Sequence, residues 1–327
     1  ARAPLVENAG PIVAGEERGR DRAREMTSPN GGPCTVGFVA DAAEADVADA
    51  LAAAAEAFPG WDALGVERRA AALGRFADLL EMRVPEFMHR CIAEAGKTWA
   101  DALGEVREAI DLARYYAARA RESFAERVLP GPTGERNTWS LAGRGVFAAI
   151  SPWNFPLAIF TGQIAAALAA GNAVIAKPAE QTPLIAAEMV KLLHEAGIDA
   201  GALHLLPGDG KTGAALVAHR DVAGVAFTGS TEVARLINRA LAAKDGPIAP
   251  LIAETGGINA MIVDATALPE QVSDDVVTSA FRSAGQRCSA LRLLCLQEDV
   301  ADRMLEMIAG AAQELKLGDP RDVSVQI

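Results

Sequence analysis

The chain has 327 residues, 50% of them hydrophobic and 23% charged, enough to bury a large core and to fill two domains. Its formal net charge of −12 repels polyanions and excludes nucleic acid as the main partner. No basic run followed by an apolar segment opens it, and the longest apolar stretch, Ile164 to Ala176, is broken by Gly171 and Asn172 and is too short to span a bilayer, so a cytoplasmic location is expected.

Residues 41 to 125 read as helices, with Ala, Leu, Glu and Arg in long runs and apolar spacing such as Leu73, Phe76, Leu79 and Leu80. Pro59-Gly60 and Gly96 punctuate them. Val128 to Asn137, rich in Pro and Gly, reads as a connector. From Gly145 onward short apolar runs alternate with helical stretches: Val146 to Ile150, then a helix over 156–170; Ala173 to Ala176, then 183–196; Leu203 to Leu206, then 211–218; Val222 to Phe227, then 231–242. Such alternation predicts βαβ units around a parallel sheet, a Rossmann-like α/β domain preceded by helices. Ligands of such sheets sit beyond the carboxyl ends of the strands, so the residues there are the ones to inspect.

They are chemically loaded. The first strand runs into Pro152-Trp153-Asn154-Phe155-Pro156, where Asn154 offers a neutral amide donor to a developing oxyanion, or is only turn chemistry. The second ends in Lys177-Pro178-Ala179-Glu180, a cation and a carboxylate suited to ribose hydroxyls. Glu180 would repel a 2′-phosphate and so favours NAD over NADP, although an exposed ion pair is the plainer reading. The third leads to Gly208-Asp209-Gly210. The fourth leads to Phe227-Thr228-Gly229-Ser230 just before a helix, a backbone that can approach a pyrophosphate, with Ser230 equally suited to be an N-cap.

Two further segments carry reactive groups: Glu254 in Ala253-Glu254-Thr255-Gly256-Gly257, and Cys288 in Gly285-Gln286-Arg287-Cys288-Ser289-Ala290. A thiol and a carboxylate in Gly-flanked settings suit a covalent mechanism with a later hydrolytic step. The alternative reading is a small buried hydrophobe and a solvated charge. Cys34, Cys91, Cys288 and Cys295 lack CxxC spacing and a neighbouring His cluster, so neither a metal site nor a disulfide framework is expected. The histidines lie far in sequence from Cys288, which disfavours a Cys-His hydrolase dyad.

Taken in order, these motifs resemble the successive signatures of the NAD(P)-dependent aldehyde dehydrogenase superfamily. The runs Ile258 to Asp264 and Cys288 to Arg292 are most similar to its glutamate-semialdehyde (1-pyrroline-5-carboxylate) branch, as found in the dehydrogenase domain of bacterial bifunctional proline utilisation A proteins. The resemblance implies NAD-dependent oxidation of glutamate semialdehyde to glutamate, the second step of proline catabolism. Cys288 would attack the aldehyde, Asn154 would hold the oxyanion together with the Cys288 N–H, and Glu254 would activate the hydrolytic water. It places Trp153, Lys177, Glu180, Gly210, Phe227, Gly229 and Ser230 at the cofactor, and Phe155 and Ser289 beside the aldehyde. It further implies cofactor domain residues 1–256, a catalytic domain beginning at 257 and C-terminally incomplete at 327, a homo-oligomer at full length, and linkage to or channelling from a proline dehydrogenase domain. Oxidation of another aliphatic aldehyde and a non-catalytic cofactor-binding fragment are the competing expectations. CoA-acylating chemistry is disfavoured, since it would need no base such as Glu254.

Overall fold

A computed structural model describes residues 7–30 and 34–327. Short strands open the chain: β1 (Glu7–Ala9), β2 (Ile12–Val13), β3 (Glu16–Glu17), β4 (Arg24–Thr27) and β5 (Thr35–Val39). Four helices follow, α1 (Glu44–Ala63), α2 (Val66–Met82), α3 (Val84–Ala95) and α4 (Trp99–Ser123), then a hairpin of β6 (Arg127–Leu129) and β7 (Asn137–Trp139). The alternating part comprises β8 (Val146–Ile150), α5 (Ala158–Ala169), β9 (Ala173–Lys177), α6 (Pro183–Glu195), β10 (Leu203–Leu205), α7 (Gly210–Ala218), β11 (Val222–Gly229), α8 (Thr231–Ala242) and β12 (Leu251–Thr255). The chain continues with β13 (Asn259–Val263), α9 (Pro269–Phe281), β14 (Leu291–Leu296) and α10 (Glu298–Gln313).

The expected alternation is present, with strands and helices within two residues of their predicted bounds from Val146 to Ala242. Two details differ. Pro59 lies inside α1, and the break comes instead at Leu64-Gly65, where Gly65 takes a φ of 84° that only glycine adopts freely. The Pro- and Gly-rich connector is the loop of a hairpin, because its flanking residues, Arg127 to Leu129 and Asn137 to Trp139, pair across it.

The main sheet has seven strands in the order β12-β11-β8-β9-β10-β2-β3. The five from β12 to β10 are parallel, and β2 and β3 are antiparallel additions at one edge. β8, β9 and β10 read as apolar runs because helices cover both sides of them. The chain builds outward from β8 to β10, then crosses back to add β11 and β12 on the other side. That reversal between β8 and β11 is a topological switch point. Gln163 of α5 spans it: its Nε2 donates to the Ile150 carbonyl (3.3 Å) and to Thr228 Oγ1 (3.0 Å), and its Oε1 accepts from Ser151 Oγ (2.6 Å).

Two carboxyl groups from the helical layer cap helices that follow the central strands. Glu94 of α3 accepts from Leu184 N (2.7 Å) and Ile185 N (2.8 Å) at the start of α6. Glu105 of α4 accepts from Leu157 N and Ala158 N (3.0 Å each) at the start of α5. A helix beginning against a buried sheet end leaves orphan N–H groups, and a carboxyl group satisfies them as an acceptor; burial pushes the Glu94 pKa up to about 8 against the two N–H bonds, so at neutral pH it caps largely as the neutral acid.

A second, separate core joins β13, β14, α9 and α10 through Val263, Val272, Val276, Leu291, Met304 and Ile308. β13 and β14 form a parallel pair outside the main sheet. Among the described residues no helix is long and apolar enough to cross a membrane.

The edge hairpin of β2 and β3 is tied to β10 by a histidine, which gives a testable pH response. His204 is fully buried; its Nδ1 accepts from Ala14 N (3.0 Å) and its Nε2–H donates to the Gly201 carbonyl (2.8 Å), which fixes the neutral tautomer. Burial pushes its pKa from 6.5 down to about 4, the Gly201 bond opposing. A depressed histidine pKa means the unfolded chain takes the proton first. Its stabilising contribution is therefore full above pH 6.5 and is lost as pH falls toward about 4. Thermal melts between pH 7 and pH 4 are expected to fall more steeply for the native chain than for His204→Asn, by up to about 1.4 kcal/mol per pH unit. Parallel slopes would show that His204 titrates normally.

Candidate active site

The parallel strands deliver their ends to one rim of the sheet. In register, Lys177 pairs with Ile150, Ile150 with Phe227 and Phe227 with Ala253, so Glu254 lies one residue beyond this row and Asn154 follows it by a short loop. Every strand-end motif therefore faces the same edge. What remains is how each side chain is disposed there.

Asn154 sits in the turn between Pro152 and Pro156, and its Nδ2 donates to the carbonyl of Gln286 at 2.9 Å. This bond ties the turn after β8 to the segment bearing the thiol, across 132 positions of sequence. The amide has a second N–H available to a ligand. Cys288 is a free, exposed cysteine at the tip of a tight turn closed by Ala290 N to Arg287 O at 3.2 Å. Its carbonyl and that of Ala290 are held by Asn259 Nδ2 at 2.7 and 2.9 Å. Among the described residues the Cys288 N–H has no acceptor, which leaves it free to hold an oxyanion.

Glu254 is exposed on the sheet-edge strand β12, and among the described residues its carboxylate makes no hydrogen bond or ion pair. Its charge reaches Tyr116 of α4, whose hydroxyl is pushed above its ordinary pKa by burial first and then by Tyr115 and Glu254. The Glu254 and Cys288 side chains share no direct bond. A carboxylate that is to bind a water needs such freedom.

The cofactor candidates divide by exposure. Trp153 and Glu180 line a cleft of about 1100 Å³ together with Thr182, Asp209 and Gln286. Lys177 lies beneath, buried, with Nζ donating to the Pro178 carbonyl at 2.9 Å; burial lowers its pKa, opposed by Glu180, Asp209 and Asp41. Gly210 opens α7 beside Asp209, whose carboxylate caps Lys211 N at 2.8 Å. Ser230 caps α8 through Val233 N at 3.2 Å, so the N-cap reading holds for its side chain. Phe227 is buried, and a Cβ at Gly229 would lie 2.6 Å from its Cζ, so only glycine lets the chain turn over that ring.

Phe155 is half-buried between two cations, with Lys97 Nζ 4.3 Å and Arg287 Cζ 5.6 Å from its ring centroid. Ser289 lines a shallow cavity with Arg287, Met261 and Thr278. His194, His204 and His219 make their hydrogen bonds at Leu203, Gly201 and Asp221, so these contacts give a Cys-His dyad no support.

Sequence reasoning passed over Lys97, Asp101, Glu105 and Asn259. Lys97 and Glu105 form a buried ion pair at 3.0 Å, and Asp101 accepts from Arg282, Ser283 and Arg287. For Asp101 and Glu105 the helical spacing signals burial, though not what they hold: they interrupt the apolar stripe of Ala102, Val106, Ala109 and Ala113 that α4 buries.

A parallel α/β sheet whose switch point carries an amide, with the segment preceding an exposed thiol bonded to that amide through the Gln286 carbonyl and a Gly-Ser turn opening a helix alongside, defines a dinucleotide-type fold. The family model described as "Aldehyde dehydrogenase family" matches residues 17–327, and the chain belongs to that family. It is 50% identical over 99% of its length to the bifunctional protein PutA of Klebsiella aerogenes, covering 24% of that protein. It is similar to a mutant of proline utilization A from Bradyrhizobium japonicum, with a TM-score of 0.87 and 67% identity over 88% of this chain and 30% of the other. The 1-pyrroline-5-carboxylate dehydrogenase from Thermus with bound NAD matches with a TM-score of 0.93 and 36% identity, over 96% of this chain and 62% of that one. The chain thus spans about a quarter of the length of the bifunctional relative.

Proposed function

We propose that the chain carries the NAD-dependent oxidation of glutamate 5-semialdehyde, the open form of 1-pyrroline-5-carboxylate, to glutamate. The observation that carries this reading is the junction at Gln286: its carbonyl takes the Asn154 amide, and the same residue lines the cleft of Trp153 and Glu180. Gln286, two residues before Cys288, thereby links the loop of Asn154 to the cleft that Glu180 lines. The names of the relatives, proline utilization A and 1-pyrroline-5-carboxylate dehydrogenase, support the substrate class.

In this mechanism the Cys288 thiolate adds to the aldehyde carbon, and the oxygen takes negative charge between the Asn154 amide and the Cys288 N–H. NAD supplies the hydride acceptor. Loss of hydride leaves a thioester on Cys288. Glu254 takes a proton from water, the resulting hydroxide attacks the thioester, and the thiolate leaves with glutamate released. A dinucleotide would be held by Glu180 of the cleft, whose carboxylate suits ribose hydroxyls, and, elsewhere on the same rim of the sheet, by the bare backbone of Gly229 and the α8 N-terminus, which suits phosphate; Lys177 ends the strand before Glu180. The two separate cores support a boundary near 256 between cofactor and thiol-bearing units. By analogy with the bifunctional relatives, the substrate would arrive from a proline-oxidising partner domain.

NADH formation should be faster with 1-pyrroline-5-carboxylate than with a panel of aliphatic aldehydes. Equal rates across the panel would remove the substrate assignment and leave the family chemistry.

A further inference from the structure

We propose that Asp101 is the positioning residue of the thiol-bearing loop, its carboxylate clasping residues 282–287 and so aiming Cys288 at Asn154. The proposal rests on the reading of Cys288 as nucleophile and deepens it.

Asp101 projects from the first turn of α4, a helix anchored by its Thr98 cap, whose Oγ1 accepts from Asp101 N at 3.3 Å. The carboxylate is buried and accepts from Arg282 Nε at 2.6 Å, Ser283 Oγ at 2.8 Å and Arg287 Nη2 at 2.9 Å. Burial disfavours its charge, but the Ser283 bond and the two guanidinium groups outweigh this and hold it below the ordinary carboxyl range. The clasp is therefore charged and intact at neutral pH.

The backbone it holds is one that L residues avoid. Ser283, Ala284 and Gly285 adopt φ of 54°, 53° and 67°, left-handed in succession, although only the last is glycine. Such a run persists only where its surroundings over-determine it, and it is found where a site is pre-set. Here the surroundings are the three donors on Asp101 and the bond from Arg292 Nη2 to the Gly285 carbonyl at 2.6 Å. Directly after this run, Gln286 receives the Asn154 amide and Arg287 lies against Phe155. Asp101 is thus linked to the neighbour of Cys288 on one side and to the neighbour of Asn154 on the other. A carboxylate serving stability alone needs one cation anywhere on α4. This one gathers every donor from the segment that precedes the thiol.

The test compares two reactions at Cys288, both read by peptide mass spectrometry on the intact chain. Acylation by p-nitrophenyl acetate passes through an oxyanion and so depends on how Cys288 faces Asn154; alkylation by iodoacetamide does not. In Asp101→Asn, acylation is expected to fall by about tenfold or more, because small misalignment of a reacting group is costly, while alkylation stays within about threefold. Asp101→Glu should recover part of the loss, and Ser283→Ala, which removes one bond of the clasp, should give a smaller one. Unchanged acylation overturns the proposal, and so does an equal fall in both reactions, which would indicate general loosening. Absence of acylation at Cys288 in the native chain instead overturns the nucleophile reading itself.

Discussion

Glu254→Gln is expected to yield a burst of NADH stoichiometric with thiol and then to slow by about 10²–10⁴-fold, whereas Cys288→Ala yields no NADH at all. The contrast follows from where each group acts. Attack by the thiolate and loss of hydride need no base beyond Cys288 itself, so a neutral isostere at Glu254 leaves them intact. Hydrolysis needs a proton taken from water, and the only acid-base group that this reading supplies for it is Glu254, exposed and unpaired at the end of β12. The enzyme should therefore stall as a thioester, visible as a mass increment on the peptide carrying Cys288. Glu254→Gln with full steady-state turnover would take the base role away from that carboxylate. NADH formation by Cys288→Ala would end the covalent mechanism.

The rim of the sheet was legible because its signals are local. A strand covered on both sides must be apolar, as Ala173 to Ala176 is, and a turn that passes over a ring or opens a helix must use Gly or Ser, as Gly229 and Ser230 do. The same locality explains the errors. Pro59-Gly60 has the composition of a break, yet α1 passes through it because packing outweighs propensity; the buried Trp61 just beyond donates from Nε1 to the Leu168 carbonyl at 3.1 Å. The hairpin at 127–139 has strands of only three residues each, too short for an alternation to show, and all six of its strand residues are exposed. Asp101, Glu105 and Lys97 were illegible as site residues for a different reason. Asp101 and Glu105 serve groups far along the chain, and Lys97 stands over the distant Phe155 ring; a charged residue gives no sign of such a partner until the fold brings it near.

Truncating Glu105 to Ala is expected to cost about 3–5 kcal/mol of stability, among the largest effects available outside the reacting groups. The carboxylate is fully buried, and Nζ of Lys97, whose side chain is 6% exposed, lies 3.0 Å from its Oε2. The approach is off the hydrogen-bonding direction, so the pair is held by charge, while Oε1 serves the N–H groups of Leu157 and Ala158. Removing the side chain strands an ammonium in the interior and orphans two donors at the start of α5 together. Lys97→Met added to Glu105→Ala should restore part of the loss, since the stranded charge is then gone, whereas Glu105→Gln, which keeps an acceptor for α5, should fall between native and Ala. Urea unfolding of the four chains measures each step. The site responds through the same atoms: Leu157 follows Asn154, Phe155 and Pro156, and Lys97 stands over the Phe155 ring. Loss of Glu105 should therefore weaken the Asn154 to Gln286 bond as well as the fold, and amide exchange at residues 153–158 should rise before that of β9 and β10. A cost below about 1 kcal/mol would mean that water replaces the carboxylate without strain.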